Sequence, residues 1–224
     1  LKVKPHVLKG DSGQVYTCDA LIASTGASAM WLGLDSEQKY SGKGVSACAT
    51  CDGAFFRNQD VIVVGGGNTA MEEALYLSAI CKSVTMVHRR EEFRGEVVLR
   101  ERVKNAKNIN IKWNSVTAEI LGSEGPLGGV TGIKLQNTIT GDYEELPCHG
   151  VFIAIGHKPN TGLFKGQLDM DEYGYLTVEK GTVNTNIEGV FAAGDVADPV
   201  YRQAVTAAGL GCMAALDTIR FLEK

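Results

Sequence analysis

Between residues 61 and 80 the chain runs from Val61-Ile62-Val63-Val64 through Gly65-Gly66-Gly67-Asn68-Thr69-Ala70 into a stretch with Ala70, Ala74, Leu75, Leu77 and Ile80 at helical spacing. Four β-branched residues in a row read as a short strand, and the apolar stripe predicts a helix over about residues 69–79. A strand that turns on glycines straight into an amphipathic helix opens a βαβ unit, which restricts the chain to an α/β fold with a parallel sheet. Ser83 to His88 closes the unit. A charged helix follows around Glu96 to Ala106, then a strand at Ile109 to Lys112. Val116 to Leu121 and Val130 to Gln136 read as a hairpin excursion around Gly122-Ser123-Glu124-Gly125-Pro126. Val151 to Ile155 returns as a strand apolar on both faces, as parallel strands are.

The turn fits G-x-G-x-x-A. Gly65 permits the tight bend, and Gly67 leaves room for a pyrophosphate at the helix N-terminus opened by Asn68 and Thr69, where unpaired N–H groups point outward. Ala70 lets helix and sheet pack closely. A purely structural turn uses the same glycines, but the flanking strand and helix favour a dinucleotide. The end of the next strand decides which one. NAD sites place a carboxylate about 20 residues on for the ribose 2′-OH, whereas a 2′-phosphate calls for arginine. Here the strand ends in His88-Arg89-Arg90, with Arg94 close behind, which selects NADPH. Glu91 and Glu92 lie close, so the competing account is a solvated loop of surface ion pairs.

The chain has six cysteines. Cys18, Cys81, Cys148 and Cys212 stand alone in apolar or small-residue surroundings and read as core filler. Cys48-Ala49-Thr50-Cys51 has the spacing of a reversible disulfide. No second close pair completes a tetrahedral zinc site, so no metal is expected, and so short a loop makes a poor structural staple. Dithiol chemistry remains, with Asp52 the nearest group to carry the proton. A nicotinamide gives up a hydride, which thiol exchange does not accept directly, so NADPH beside a CxxC pair implies an intermediary such as a flavin.

A formal net charge of −4 offers no broad basic field for nucleic acid. The apolar runs break well short of a membrane span and the N-terminus lacks a signal-peptide core, so the expected location is the cytoplasm. Toward the C-terminus, Tyr175 to Val178 and Val190 to Ala193 read as strands, and Gln203 to Leu222 as a closing helix whose early small residues admit something bulky. At the front, strands joined by a hairpin are expected around Gly10 to Gly13, with Ala20 to Ser24 among them. Residues 30–157 form a dinucleotide-domain candidate. Residues 1–29 and 158–224 are each too short for an α/β domain and belong together, with the middle domain inserted between them.

Cys48-Ala49-Thr50-Cys51-Asp52-Gly53, the glycine turn, His88-Arg89-Arg90 with Arg94, Gly156-His157-Lys158-Pro159-Asn160-Thr161, Gly194-Asp195-Val196 and Arg202-Gln203-Ala204 follow one another in the order of one family. Over essentially its whole length the chain resembles the bacterial-type, low-molecular-weight thioredoxin reductases. The resemblance implies a Rossmann-like NADPH-binding domain inserted in a partial FAD-binding domain of the three-layer FAD/NAD(P)-binding type. Arg89, Arg90 and Arg94 would hold the 2′-phosphate, with Gly65, Gly67, Asn68, Thr69, Ala70, His88 and Gly156 around the dinucleotide. Gly194 and Asp195 would face the sugar side of FAD, with Arg202, Gln203 and Ala204 near the flavin. Cys51 would be the flavin-side sulfur, Cys48 the one that attacks oxidised thioredoxin, and Asp52 the acid. The family works as a homodimer with a rotating NADPH domain.

Family members begin upstream of Leu1 with a strand, a G-x-G-x-x-G turn and a helix for the FAD pyrophosphate. A molecule of these residues alone is expected to hold little FAD. The competing readings are a related flavin disulfide reductase, a ferredoxin-dependent enzyme that would not need the arginines, and a non-catalytic dinucleotide-binding fragment.

Overall fold

The computed structural model describes residues 1, 4–126 and 128–224. They divide into two compact units: Ala29–Gly156, and Leu1–Ser28 together with His157–Lys224.

The Ala29–Gly156 unit is built on five parallel strands in the order Val45–Ser46, Gly150–Ile153, Asp60–Val64, Ser83–Val87, Ile109–Lys112. Side chains alternate across a strand, and here both sides are covered. Val61 and Val63 point toward the helices Asn68–Ser78 and Val97–Asn105, where they meet Met71, Ala74, Leu77, Leu99 and Val103. Ile62 and Val64 face the other way, against Ile120, Ile133 and Leu135 of an antiparallel sheet formed by Ser115–Gly122, Val130–Asn137 and Tyr143–Pro147. Each such side chain contributes about 1.5–3 kcal/mol by leaving water. The third antiparallel strand, Tyr143–Pro147, was not expected from the sequence, because Glu144 and Glu145 on its exposed edge break the apolar alternation.

In the second unit, Leu21–Ala23 lies parallel to Val190–Ala192, and His6–Lys9 pairs with Val15–Cys18 as the expected hairpin around Gly10–Gly13. Leu21–Ala23 is not part of that hairpin. The strand expected at Tyr175–Val178 is reduced to one bridge, Met170 to Leu176. The Tyr175 amide is instead taken by the Asp171 carboxylate at 2.9 Å and the Leu176 amide by the Val196 carbonyl. The helix Ala204–Leu222 closes the unit through Ala214, Leu210 and Phe221, which pack on Phe191, Ala193 and Val183.

By length and composition alone, the helix Ala204–Leu222 is long and apolar enough to cross a membrane. Its alanines raise its mean hydropathy even though Asp217 and Arg220 sit within it as an ion pair at 2.9 Å. Of the lone cysteines, Cys81 and Cys148 are buried core residues, but Cys18 is half-buried and Cys212 is exposed. Two positions before the inward-facing Ala214, Cys212 falls on a different side of the helix.

A glycine-turn cleft and a disulfide form the candidate active site

The parallel strands Asp60–Val64, Ser83–Val87 and Gly150–Ile153 lead into a cleft of about 590 Å³. Gly65, Gly67, Asn68, Thr69, His88, Arg89, Arg90, Arg94 and Gly156 all line it. Gly65 has φ +152°, and a Cβ there would strike the Ala154 carbonyl and the Ala70 methyl. Ala70, fully buried, lies beneath the turn rather than in the cleft. At Gly67 a Cβ would meet nothing within 4 Å, and no side chain caps the helix that starts there. The first-turn N–H groups are therefore left for an anion in the space above Gly67.

Gly66 carries a constraint that the sequence pattern does not reveal, since a Cβ on it would overlap the His88 imidazole. His88 is buried, packs on Phe93 and Trp113, and donates from Nε2 to the Glu92 carbonyl at 3.0 Å. Burial holds its pKa below the usual histidine value. Arg90, Arg89 and Arg94 act in the same direction and together these outweigh the hydrogen bond to Glu92. His88 thus serves the cleft as a neutral strut. The loop it supports is tied to the glycine turn by the Arg94 amide, which donates to the Gly66 carbonyl at 2.9 Å. The Glu96 amide donates to Asn68 Oδ1 at 2.8 Å. Asn68 also donates to the Glu96 carboxylate at 3.3 Å.

The three arginine side chains on this loop are exposed. Among the described residues none of them forms an ion pair, so the alternative of a loop neutralised by Glu91 and Glu92 is not what the structure contains. Some loss of hydration and the charges of Arg94 and Arg89 lower the pKa of Arg90, as expected of cations gathered together. A doubly charged phosphate fits such a group.

Cys48 and Cys51 are joined in a disulfide, with Cα atoms 5.3 Å apart. Cys48 is the N-cap of the short helix Ala49–Asp52, and the Cys51 amide donates to its Sγ at 3.2 Å. Cys48 is half-buried and Cys51 exposed. Asp52, at the end of the same turn, accepts a 2.6 Å hydrogen bond from Ser46, a residue the sequence reading passed over. Its one signal was local: a serine two residues before Cys48, poised to accept that residue's amide. The buried thiols differ in character. Burial pushes Cys148 up to about 12 and also raises Cys81, so both stay protonated and inert.

The remaining expected residues lie in the second unit. Gly194 has φ +81°, and Asp195 Oδ1 and His157 Nδ1 are buried without a hydrogen-bond partner among the described residues. Burial lowers the pKa of His157, Arg202 adds to the effect and Asp195 opposes it. Gln203 caps the helix that Ala204 begins, in a capping box with Thr206, and Arg202 adopts φ +48° with its guanidinium on the Pro199 carbonyl. A neighbouring residue, Asp198, organises this turn. Its carboxylate accepts the amides of Val200, Tyr201 and Arg202 at 2.9–3.1 Å. Burial raises its pKa, but those donors and Thr206 outweigh it and hold the carboxyl below its usual range.

A family profile described as pyridine nucleotide-disulphide oxidoreductase matches residues 2–211. The chain is 54% identical over 224 residues to a thioredoxin reductase of Rickettsia conorii, covering all of this chain and 72% of that protein. It is 58% identical over 228 residues to a protein of Pseudomonas fluorescens named glucosaminate ammonia-lyase, covering 98% of this chain and 69% of that one. The solved thioredoxin reductase of Giardia duodenalis superposes with a TM-score of 0.92 at 42% identity, over 99% of this chain and 72% of that structure. The chain belongs to the pyridine nucleotide-disulphide oxidoreductases, and among them to the low-molecular-weight, bacterial-type thioredoxin reductases.

Proposed function

We propose that this chain carries the nucleotide and disulfide machinery of an enzyme that uses NADPH and FAD to reduce oxidised thioredoxin. The observation that carries the reading is the Cys48–Cys51 disulfide in the same unit as a glycine-turn cleft edged by three unneutralised arginines. The disulfide favours an oxidoreductase, because a redox pair serves electron transfer.

In this reading Ala29–Gly156 is the NADPH domain, inserted in the FAD-binding unit. Arg89, Arg90 and Arg94 hold the 2′-phosphate, and Gly65, Gly67, Asn68 and Thr69 receive the pyrophosphate at the helix N-terminus, with Gly156 on the far wall. Ala70 and His88 support the turn from behind. Gly194, Asp195, Arg202, Gln203 and Ala204 hold FAD, which when bound passes the electrons of a nicotinamide hydride to the disulfide.

Once reduced, the pair holds two thiols beside the Asp52 carboxylate. Asp52 takes the Cys48 proton as Cys48 Sγ attacks one sulfur of the thioredoxin disulfide. An S–S bond forms as another breaks, and the departing thiolate takes the Asp52 proton. Asp52 then receives the Cys51 proton. Cys51 Sγ attacks Cys48 Sγ, the second thioredoxin thiolate leaves with that proton, and the disulfide is restored beside an ionised Asp52. Two electrons and two protons have moved to thioredoxin. Assembly as a homodimer and residence in the cytoplasm complete the proposal.

The test is NADPH consumption by the FAD-loaded enzyme with oxidised thioredoxin. Turnover that disappears in Cys48→Ser is expected, and a holoenzyme that leaves thioredoxin oxidised would overturn the assignment.

A further inference from the structure

Ser46 ends the two-residue edge strand of the parallel sheet, in register with Phe152, and is 7% exposed. A hydroxyl buried there is costly unless it is paired. Its oxygen has one proton to donate and two lone pairs. Three partners are in reach: Asp52 Oδ2 at 2.6 Å, the Cys48 amide at 3.0 Å and the Cys48 carbonyl at 3.4 Å. The amide always donates to Ser46. The proton of Ser46 has two destinations, a carboxylate and a carbonyl, and can serve one at a time.

We propose that Ser46 is the positioning residue that lets Asp52 hold and release a proton beside the redox pair; the inference rests on the reading of Asp52 as the acid of that pair. With Asp52 ionised, the Ser46 hydroxyl donates to it in a short, charge-assisted bond. With Asp52 protonated, the carboxyl donates to Ser46 Oγ, and Ser46 turns its own proton to the Cys48 carbonyl. In both states the Cys48 amide keeps its acceptor and the Ser46 proton keeps an oxygen to donate to. No atom of this cluster is stranded when the proton leaves, so the transfer carries no penalty for an unpaired buried group. The same hydroxyl fixes the carboxylate relative to the peptide of Cys48, whose Sγ makes the first attack.

A merely structural serine would also accept the Cys48 amide, so the experiment must separate support of the turn from service to Asp52. The enzyme is reduced with dithiothreitol, freed of excess reductant, and mixed with oxidised thioredoxin to measure the exchange rate alone. Ser46→Val and Ser46→Thr share one shape and differ in the hydroxyl. Exchange in Ser46→Val is expected to fall about tenfold, the scale of one hydrogen bond to a charged group, while Ser46→Thr keeps most of the rate. Asp52→Asn should itself be slow, and Ser46→Val added to it should slow it no further. Equal rates in the Val and Thr variants, or a Ser46→Val loss of the same size in the Asp52→Asn background, would overturn the role of Ser46 and leave Asp52 as the acid. An unimpaired Asp52→Asn would overturn the assignment of Asp52 as well.

Discussion

The two units of this chain use apolar residues in opposite ways. In Ala29–Gly156, the strand Asp60–Val64 is covered on both faces and its apolar residues are almost wholly removed from water. In the other unit the longest helix, Ala204–Leu222, is more apolar than most, yet only Ala214 is buried. Val205 is 83% exposed, and Leu216, Ile219 and Leu222 are about half exposed or more. The first unit satisfies its own core. The second leaves apolar side chains of its longest helix in water. The proposed nucleotide site therefore rests on a well-filled core, whereas the proposed flavin-side residues belong to a unit whose longest helix is mostly exposed.

The sharpest way to break this comparison is to remove matching bulk from each unit. Phe152 is fully buried and edge-on to Phe56, with centroids 5.4 Å apart, so Phe152→Ala should cost about 3–5 kcal/mol in denaturant unfolding. Leu216→Ala, on the exposed helix face, should stay within about 0.5 kcal/mol. Similar losses at the two sites would remove the distinction.

A smaller effect concerns ligands. Removing Arg89 and Arg90 together should erase most of the preference for NADPH over NADH. NADH affinity and the unfolding midpoint should barely move, because among the described residues these side chains form no ion pair. Calorimetric titration of both nucleotides checks it, and a double variant that keeps its selectivity would detach the arginines from the 2′-phosphate.

Acid should act on the second unit through Asp198. Its folded pKa lies below the unfolded value of about 3.9, so the carboxylate contributes stability that is present above that pH and is lost as the pH falls through the folded pKa. Protection of the 199–206 segment against limited proteolysis is expected to fade as the pH drops below about 4. Asp198→Asn should lack that protection already at neutral pH, and equal cleavage of both proteins at neutral pH would count against the cluster.

The mildest probe is alkylation at pH 8 with the Cys48–Cys51 disulfide intact. Cys212, on the exposed helix, should react first, while Cys148 and Cys81 of the other unit stay unmodified because burial keeps their thiols protonated and out of reach. Mass mapping of the labelled peptides would show the reverse if the two units had been mischaracterised.

The same contrast governs what the sequence disclosed. Val61 to Val64 and the glycine turn were legible because two-sided burial demands an unbroken apolar run and because Gly65 occupies a conformation that side chains rarely tolerate. Ile109 to Lys112 was legible for its alternation. Tyr143–Pro147 was not, since an exposed edge strand with adjacent glutamates keeps no apolar period. Nor was Glu37, which patterning would leave in water. It is buried and accepts the amides of Leu32 and Gly33 at 2.9 and 3.0 Å. Ser46 and Asp198 share that obscurity. Their importance comes from backbone groups and a carboxylate meeting at a point, and spacing along a chain does not encode such a meeting.

The tie between Gly66 and His88 bears on how this cleft could be redesigned. A loop that chooses between two nucleotides invites exchange as a cassette, with residues 89–94 replaced by an acidic sequence to favour NADH. Here the cassette is not free-standing. Its backbone hangs from the Gly66 carbonyl and the Asn68 side chain, and the ring of His88 fills the place where any side chain at position 66 would go. A graft that alters the path of the loop also disturbs the turn proposed to receive the pyrophosphate, so selectivity and affinity are expected to change together. The segment from Gly65 to Glu96 is best engineered as one piece.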